Sequence, residues 1–154
     1  MTAMTSAGTT LGISAGSPAT FNEVGFEALA PYTVIGEITD IGGDIGRVYN
    51  LVTHNPLATR HTAKFKGSYN SGSLNLTLAI DRADAGQILA KTALMSDSDY
   101  SFKIAFQDGT VTYFRGKVMS FPVNPGNVDS ITSGTITIEI TADDDGNDFV
   151  EAAS

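Results

Sequence analysis

His54 and His61 stand seven positions apart in "HNPLATRH" and are the two histidines of the chain. Imidazoles ligate zinc, but a site needs three or four donors, and with no cysteine present distant carboxylates would have to supply the rest. The pair therefore reads as loop histidines. The tail "ADDDGNDFVEAAS" gathers Asp143, Asp144, Asp145, Asp148 and Glu151, and hard cations take several such oxygens. An EF-hand loop spaces its acids at alternating positions before a glycine and a distant glutamate; here Gly146 directly follows Asp145, and no entering helix is evident. "GGDIG" at 42–46 lacks the Lys-Ser/Thr of a phosphate-binding loop, and no G-x-S-x-G elbow is present to activate a serine. No constellation supports catalysis, a cofactor or a resident metal, so the expectation is a non-enzymatic protein.

The elements around these residues are mostly strands. "LNLTLAI" puts Leu74, Leu76, Leu78 and Ile80 on one face, and "TITIEI" does the same with Ile136, Ile138 and Ile140. "YSFKIAF" turns Tyr100, Phe102, Ile104 and Phe106 inward, with Ser101, Lys103 and Ala105 outward. Such period-two alternation marks half-buried strands. Weaker candidates are 9–14, 31–39 and 58–67. One helix is expected over 81–95, capped by Asp81, with Ala85, Ile88, Leu89 and Thr92 as its apolar stripe and Gly86 weakening it slightly. With 154 residues the chain should bury one core. The fold class expected is mainly β, an antiparallel sandwich or barrel with one flanking α-helix. The N-terminus lacks a basic, apolar signal segment and no run approaches a membrane span, so a soluble chain is expected. A formal net charge of −8 opposes binding to nucleic-acid phosphates.

"FQDGTVTYFRGKVMSF" at 106–121 breaks the pattern. Val111, Tyr113, Met119 and Phe121 share one strand face with Arg115 and Lys117, while Phe114 and Val118 point the other way. With Asp108-Gly109 as a two-residue turn, Phe106 would pair with Val111 and Ile104 with Tyr113. Either a bulge near Tyr113-Phe114 flips the alternation, or the strand runs into a sheet shared between copies.

Residues 41–72 show poor periodicity and repeated Gly, Asn and Pro signals, and read as a long irregular loop of functional or mobile character. Arg47, Arg60, Lys64 and Lys66 lie there, after the acids Glu23, Glu27, Glu37, Asp40 and Asp44. Opposite charges so separated could meet between copies. Domain 1–142 is thus followed by an acidic tail, 143–154, expected to be flexible.

The stretch "YSFKIAFQDGTVTYFRGKVMSFPVNPGNVDSITSGTITIEIT" at 100–141 resembles the C-terminal half of the major tail tube proteins of long-tailed bacteriophages. "SAGTTLGIS", "ITDIGG" and "SGSLNLTLAIDRADAGQILA" resemble the same family's opening and its strand followed by a helix. The resemblance implies a phage tail tube or type VI secretion tube-like fold, and a virion tail protein that is soluble in the host cytoplasm before assembly. It implies hexameric rings stacked into a hollow conduit for DNA ejection. A tape measure protein, a tail terminator and distal tail proteins are implied as partners, and genomic DNA passes without specific binding. The chain is expected to lack the immunoglobulin-like domain that some members append. Contact candidates between subunits or rings are Asp40, Asp44, Arg47, His54, Arg60, Lys64, Lys66, Phe114, Arg115, Lys117, Asp143, Asp144 and Asp145. Six copies at −8 each would carry −48, enough to repel DNA phosphates from a wall facing them. The alternatives are a stand-alone ligand-binding or adhesive sandwich, to which the absence of tryptophan offers little sugar-stacking surface, and another phage tail structural protein on the same fold.

Overall fold

The computed structural model describes residues 3–153. The elements run β1 (Thr10–Ser14), α1 (Glu23–Glu27), β2 (Thr33–Val34), β3 (Ile38–His54), β4 (Ala63–Ala79), α2 (Ala85–Leu94), β5 (Tyr100–Ala105), β6 (Val111–Ser120), β7 (Val123–Asn124), β8 (Ser133–Ile140) and β9 (Phe149–Ala152). The nine strands pair antiparallel in one sheet of order β2-β1-β5-β6-β8-β4-β3, with β7 added on β8 and β9 on β6. The expected mainly β, antiparallel class with a flanking helix is the class observed. Leu11 and Ile13, Leu74, Leu76 and Leu78, Phe102 and Ile104, and Ile136, Ile138 and Ile140 meet in one core with Ala90 and Ala93 of α2. The alternating strands supply the inner face, and the sheet curls around it. Among the described residues no helix is long and apolar enough to cross a membrane.

The β5–β6 hairpin turns differently from the expected two-residue form. Phe106 N donates to Thr110 O (2.9 Å) and Gly109 N to Phe106 O (3.1 Å), with Gly109 at φ 90°. This is a three-residue loop closed by a left-handed glycine. It shifts the register by one residue, so Phe102 pairs with Phe114 and Ser101 with Arg115. A one-residue shift exchanges the faces of a strand. Phe114 stacks on Phe102 in the main core with ring centroids 5.1 Å apart. On the other face Val111 and Tyr113 join Phe26, Phe21, Leu29 and Tyr32 in a second cluster. No bulge lies at Tyr113-Phe114; the irregularity in β6 falls between Val118 and Ser120. Both faces of β6 are useful because each has a core within one subunit.

Further departures follow from tertiary packing. Residues 41–72 are not an irregular loop but lie mostly in β3 and β4, a hairpin of two 17-residue strands. Two register shifts, at Ile45/Val48 and Tyr49/Leu51, interrupt its alternation and hide it from a search for period two. The tail is not wholly free of structure, since β9 pairs with β6 and sets Val150 and Ala152 on the second cluster; Ser154 lies outside the described residues. The candidate strand at 31–39 splits, because Glu37 takes φ 61° between β2 and β3. The five-residue α1, capped by Asn22 through Gly25 N (2.8 Å), is too short to show a period.

Helix α2 begins later and faces differently than expected. Its cap is Asp84, which accepts from Gln87 N and from Gly36 N (both 3.0 Å), whereas Asp81 accepts from Ala83 N. The buried side is Gly86, Gln87, Ala90 and Ala93, leaving Ala85, Ile88 and Thr92 to solvent. Close approach decides this orientation. A Cβ on Gly86 would lie 2.2 Å from Val34 O and 2.5 Å from Ile35 Cα, so the position closest to the β2 backbone has no room for a side chain, while Gln87 is buried beside it. Alanine would gain about 1 kcal/mol in helix propensity, but the obstacle is backbone, and overpacking costs roughly 1–3 kcal/mol. Gly86→Ala should therefore lower stability in urea titration despite the better helix former.

Candidate assembly interface

Strands β3 and β4 outrun the core. At roughly 3.3 Å per residue each extends about 55 Å, and beyond Ile45 every residue of β3 from Arg47 to His54 is exposed. The projecting arm, 46–67, carries Arg47, Arg60, Lys64 and Lys66 and no Asp or Glu. The remainder holds the other five cations against all 17 acids, a formal net charge of −12. The arm is also apolar on its surface: Val52 lies opposite Phe65, and the two are 48% and 57% exposed, with Val48 at 71% and Leu57 at the tip fully exposed. A lone subunit gains nothing from keeping such side chains in water.

The root of the arm is held by an ionic clasp. Arg47 donates from Nε to Asp148 Oδ2 (2.9 Å) and from Nη2 to Oδ1 (3.3 Å). Asp148 also accepts from Ser71 Oγ (3.0 Å) and Phe149 N (3.0 Å), and is 3% exposed. The guanidinium lies 4.5 Å over the Tyr69 ring, and both Arg47 Nη2 and Tyr69 OH donate to Gly146 O (3.0 Å each). Burial raises the Asp148 carboxyl, but the hydrogen bonds from Arg47 and Ser71 outweigh it and hold the group below its ordinary range. The same bond to Asp148 raises Arg47. The clasp joins the arm to the segment leading into β9.

Beside the arm's root, a cleft of ≈ 400 Å³ runs along the edge of β3 that has no strand partner. Ile38, Ile41, Ile45, Ile104 and Phe106 supply apolar walls, and Asp40 and Asp44 line it as well. Among the described residues the ion pairs are Arg47–Asp148 and Lys117–Asp99, so Asp40 and Asp44 have no cation of their own subunit. Arg60 and Lys64 likewise pair with no carboxylate among the described residues. Thr9, also in this lining and itself half-buried, has a buried hydroxyl that finds no hydrogen-bond partner among the described residues.

Comparison with solved structures places this architecture. A chain of the virion of a native gene transfer agent particle superposes with a TM-score of 0.67 at 10% identity, covering 98% of this chain and 100% of that one. A chain of the SPP1 tail tube gives 0.65 at 12% identity, with 95% and 77% covered. The fold is that of a tail tube chain. A chain of the sheath/tube terminator of the extracellular contractile injection system PVC shares it, at 0.64 and 9% identity over 90% and 93%. No protein-family model and no curated protein matches the sequence significantly.

Within this tail tube fold the sequence candidates separate into groups. Asp40 and Asp44 line the cleft; Arg60 is at the arm's tip, with His54, Lys64 and Lys66 along its strands. Lys66 lies 4.7 Å over the Tyr49 ring. Asp143 closes a local turn, accepting from Asn147 N (2.8 Å) and Asp145 N (3.0 Å), while Asp144 and Asp145 are exposed. Phe114 is fully buried and offers no contact surface. Arg115 donates to Asp99 O (2.7 Å) and Gly16 O (3.3 Å), and Lys117 pairs with Asp99. These two cations pin the N-terminal segment and the start of β5, so the monomer does not end at 114–117. Sequence reading missed Val48, Val52 and Phe65, because the bulges broke their periodicity, and Leu57, which lies in the connection between the two strands. It also missed Asp148, whose partner is 101 positions away.

The clasp has a signed pH dependence. Because the folded carboxyl titrates below the unfolded value of about 4, its contribution is present above that pH and is lost as pH falls through the folded value. Asp148→Asn should lower Tm at neutral pH by about 5 °C or more and flatten the acid-side decline seen by thermal denaturation. Arg115→Glu should reduce the stability of the monomer itself, read in the same assay.

Proposed function

We propose that the chain is the repeating subunit of a hollow phage tail tube, built from stacked hexameric rings, through which the genome leaves the capsid. The observation that carries this reading is the likeness over nearly the whole chain to a chain of the SPP1 tail tube and to one of the gene transfer agent virion. The projecting arm supports it, since exposed apolar side chains on a long hairpin suit burial against neighbouring copies. The charge of −8 per chain suits a conduit, because a wall of like sign does not retain DNA phosphates. On this reading the protein resides in the virion tail after assembly from host cytoplasm. Its ends meet a tape measure protein, a tail terminator and distal tail proteins.

A second reading is a different tail structural protein, and the likeness to a chain of the PVC sheath/tube terminator favours it specifically. A terminator closes a tube and does not propagate one. Negative-stain microscopy of the concentrated protein separates the two: regular tubes with six-fold averaged cross-sections are expected of a tube subunit. Single rings that never stack would support the terminator reading, and persistent monomers would remove both. In an assembled tube, a lumen potential that is mainly positive would overturn the DNA-sliding argument.

A further inference from the structure

We propose that the tip of the arm, 55–62, of one copy inserts into the β3-edge cleft of a second copy. Leu57 would meet the isoleucine walls, and Arg60 the carboxylates of Asp40 and Asp44. The proposal rests on the tube reading and names which surface meets which. Three observations carry it. The arm is cationic without a single acid, while the body holds all 17 acids, so the attraction between copies has a direction. The cleft combines apolar walls with two carboxylates that have no cation partner among the described residues. The tip offers the matching pair, a fully exposed Leu57 three residues from Arg60, which has no carboxylate partner among the described residues.

Geometry requires the contact to be between copies. The cleft lies against the first part of β3, and the tip lies beyond its far end, about 30 Å from Ile45 at roughly 3.3 Å per residue. A strand cannot return along its own line to fill the cleft at its root. Tip and cleft are different surfaces, so each copy uses one and offers the other. Such a head-to-tail contact repeats indefinitely or closes a ring, whereas a two-fold dimer would leave nothing to extend. Among the described residues the β3 edge has no strand partner, so its free backbone groups are available to the incoming tip as well.

The chain has no cysteine, so two single-cysteine variants can report the contact. Ala58→Cys marks the tip and Thr39→Cys the cleft, both at exposed positions. Mixed equally and mildly oxidised, they should give the mixed disulfide dimer several-fold in excess of either homodimer. One chain carrying both changes should give a ladder of covalent oligomers. Adding Arg60→Glu to the tip variant should cut the mixed dimer about tenfold, and Asp40→Lys with Asp44→Lys in the partner should restore it. Circular dichroism verifies that each variant is folded. A mixed dimer no more abundant than the homodimers, or one indifferent to charge reversal, overturns the proposal. If the unaltered chain forms tubes while that dimer is absent, this contact falls and the tube reading stands; if the dimer forms and the unaltered chain builds no tubes, the contact stands and the tube reading falls.

Discussion

The pairing of Phe102 with Phe114 is the constraint on which the subunit depends. It is set by a three-residue loop closed at Gly109, whose left-handed backbone lets the chain reverse without straining a side chain. Because side chains in a strand alternate with a period of two, this register puts Phe114 and Val118 into the main core and leaves Val111 and Tyr113 for the opposite face. That second face needs its own cover. The N-terminal segment with α1, Tyr32 and the residues of β9 supplies it, and Phe26 stacks on Tyr113 at 5.3 Å. The sheet therefore has two hydrophobic layers sharing β6, and the segment around α1 and strand β9 cover the side that a simple sandwich would leave wet.

Buried and exposed halves are separated along β3 and β4. Their core-proximal halves contribute Leu74, Leu76 and Leu78 to the main cluster, with Ile38, Ile41 and Ile45 packed against it. Their distal halves bury little within the subunit. The bulge between Ile45 and Val48 marks the border, and the Arg47–Asp148 clasp sits at it. A bulge locally increases twist and re-aims a strand, while a buried carboxylate with four donors fixes where the arm leaves the body. The C-terminal acids thereby acquire two distinct uses: Asp148 is structural, and Asp144 and Asp145 remain at the surface.

Much of the fold was legible because it follows from local alternation. Leu74, Leu76 and Leu78, Phe102 and Ile104, and the isoleucines of β8 each repeat every second residue and face the core as their spacing requires. Helix α2 was visible as a segment, but its orientation was not, since burial of Gly86 and Ala90 depends on how closely the backbone of β2 approaches. The arm was misread because two bulges shift the register within a few residues. Arg115 and Lys117 share a strand face with Val111 and Tyr113 in the sequence and are contact candidates on that ground, whereas in the fold Asp99 and Gly16 are their partners.

By itself the sequence determined a cysteine-free, acidic chain of half-buried strands, because composition and two-residue alternation are properties of consecutive side chains. It also carried the uneven distribution of charge that separates arm from body. Only the tertiary structure decided which face of β6 meets which core, where the arm begins, and which cations are already paired. Those outcomes depend on turn length, bulge position and contacts between residues as far apart as Arg47 and Asp148. One residue added to a turn reverses the facing of a whole strand, and no local pattern of hydrophobicity records it.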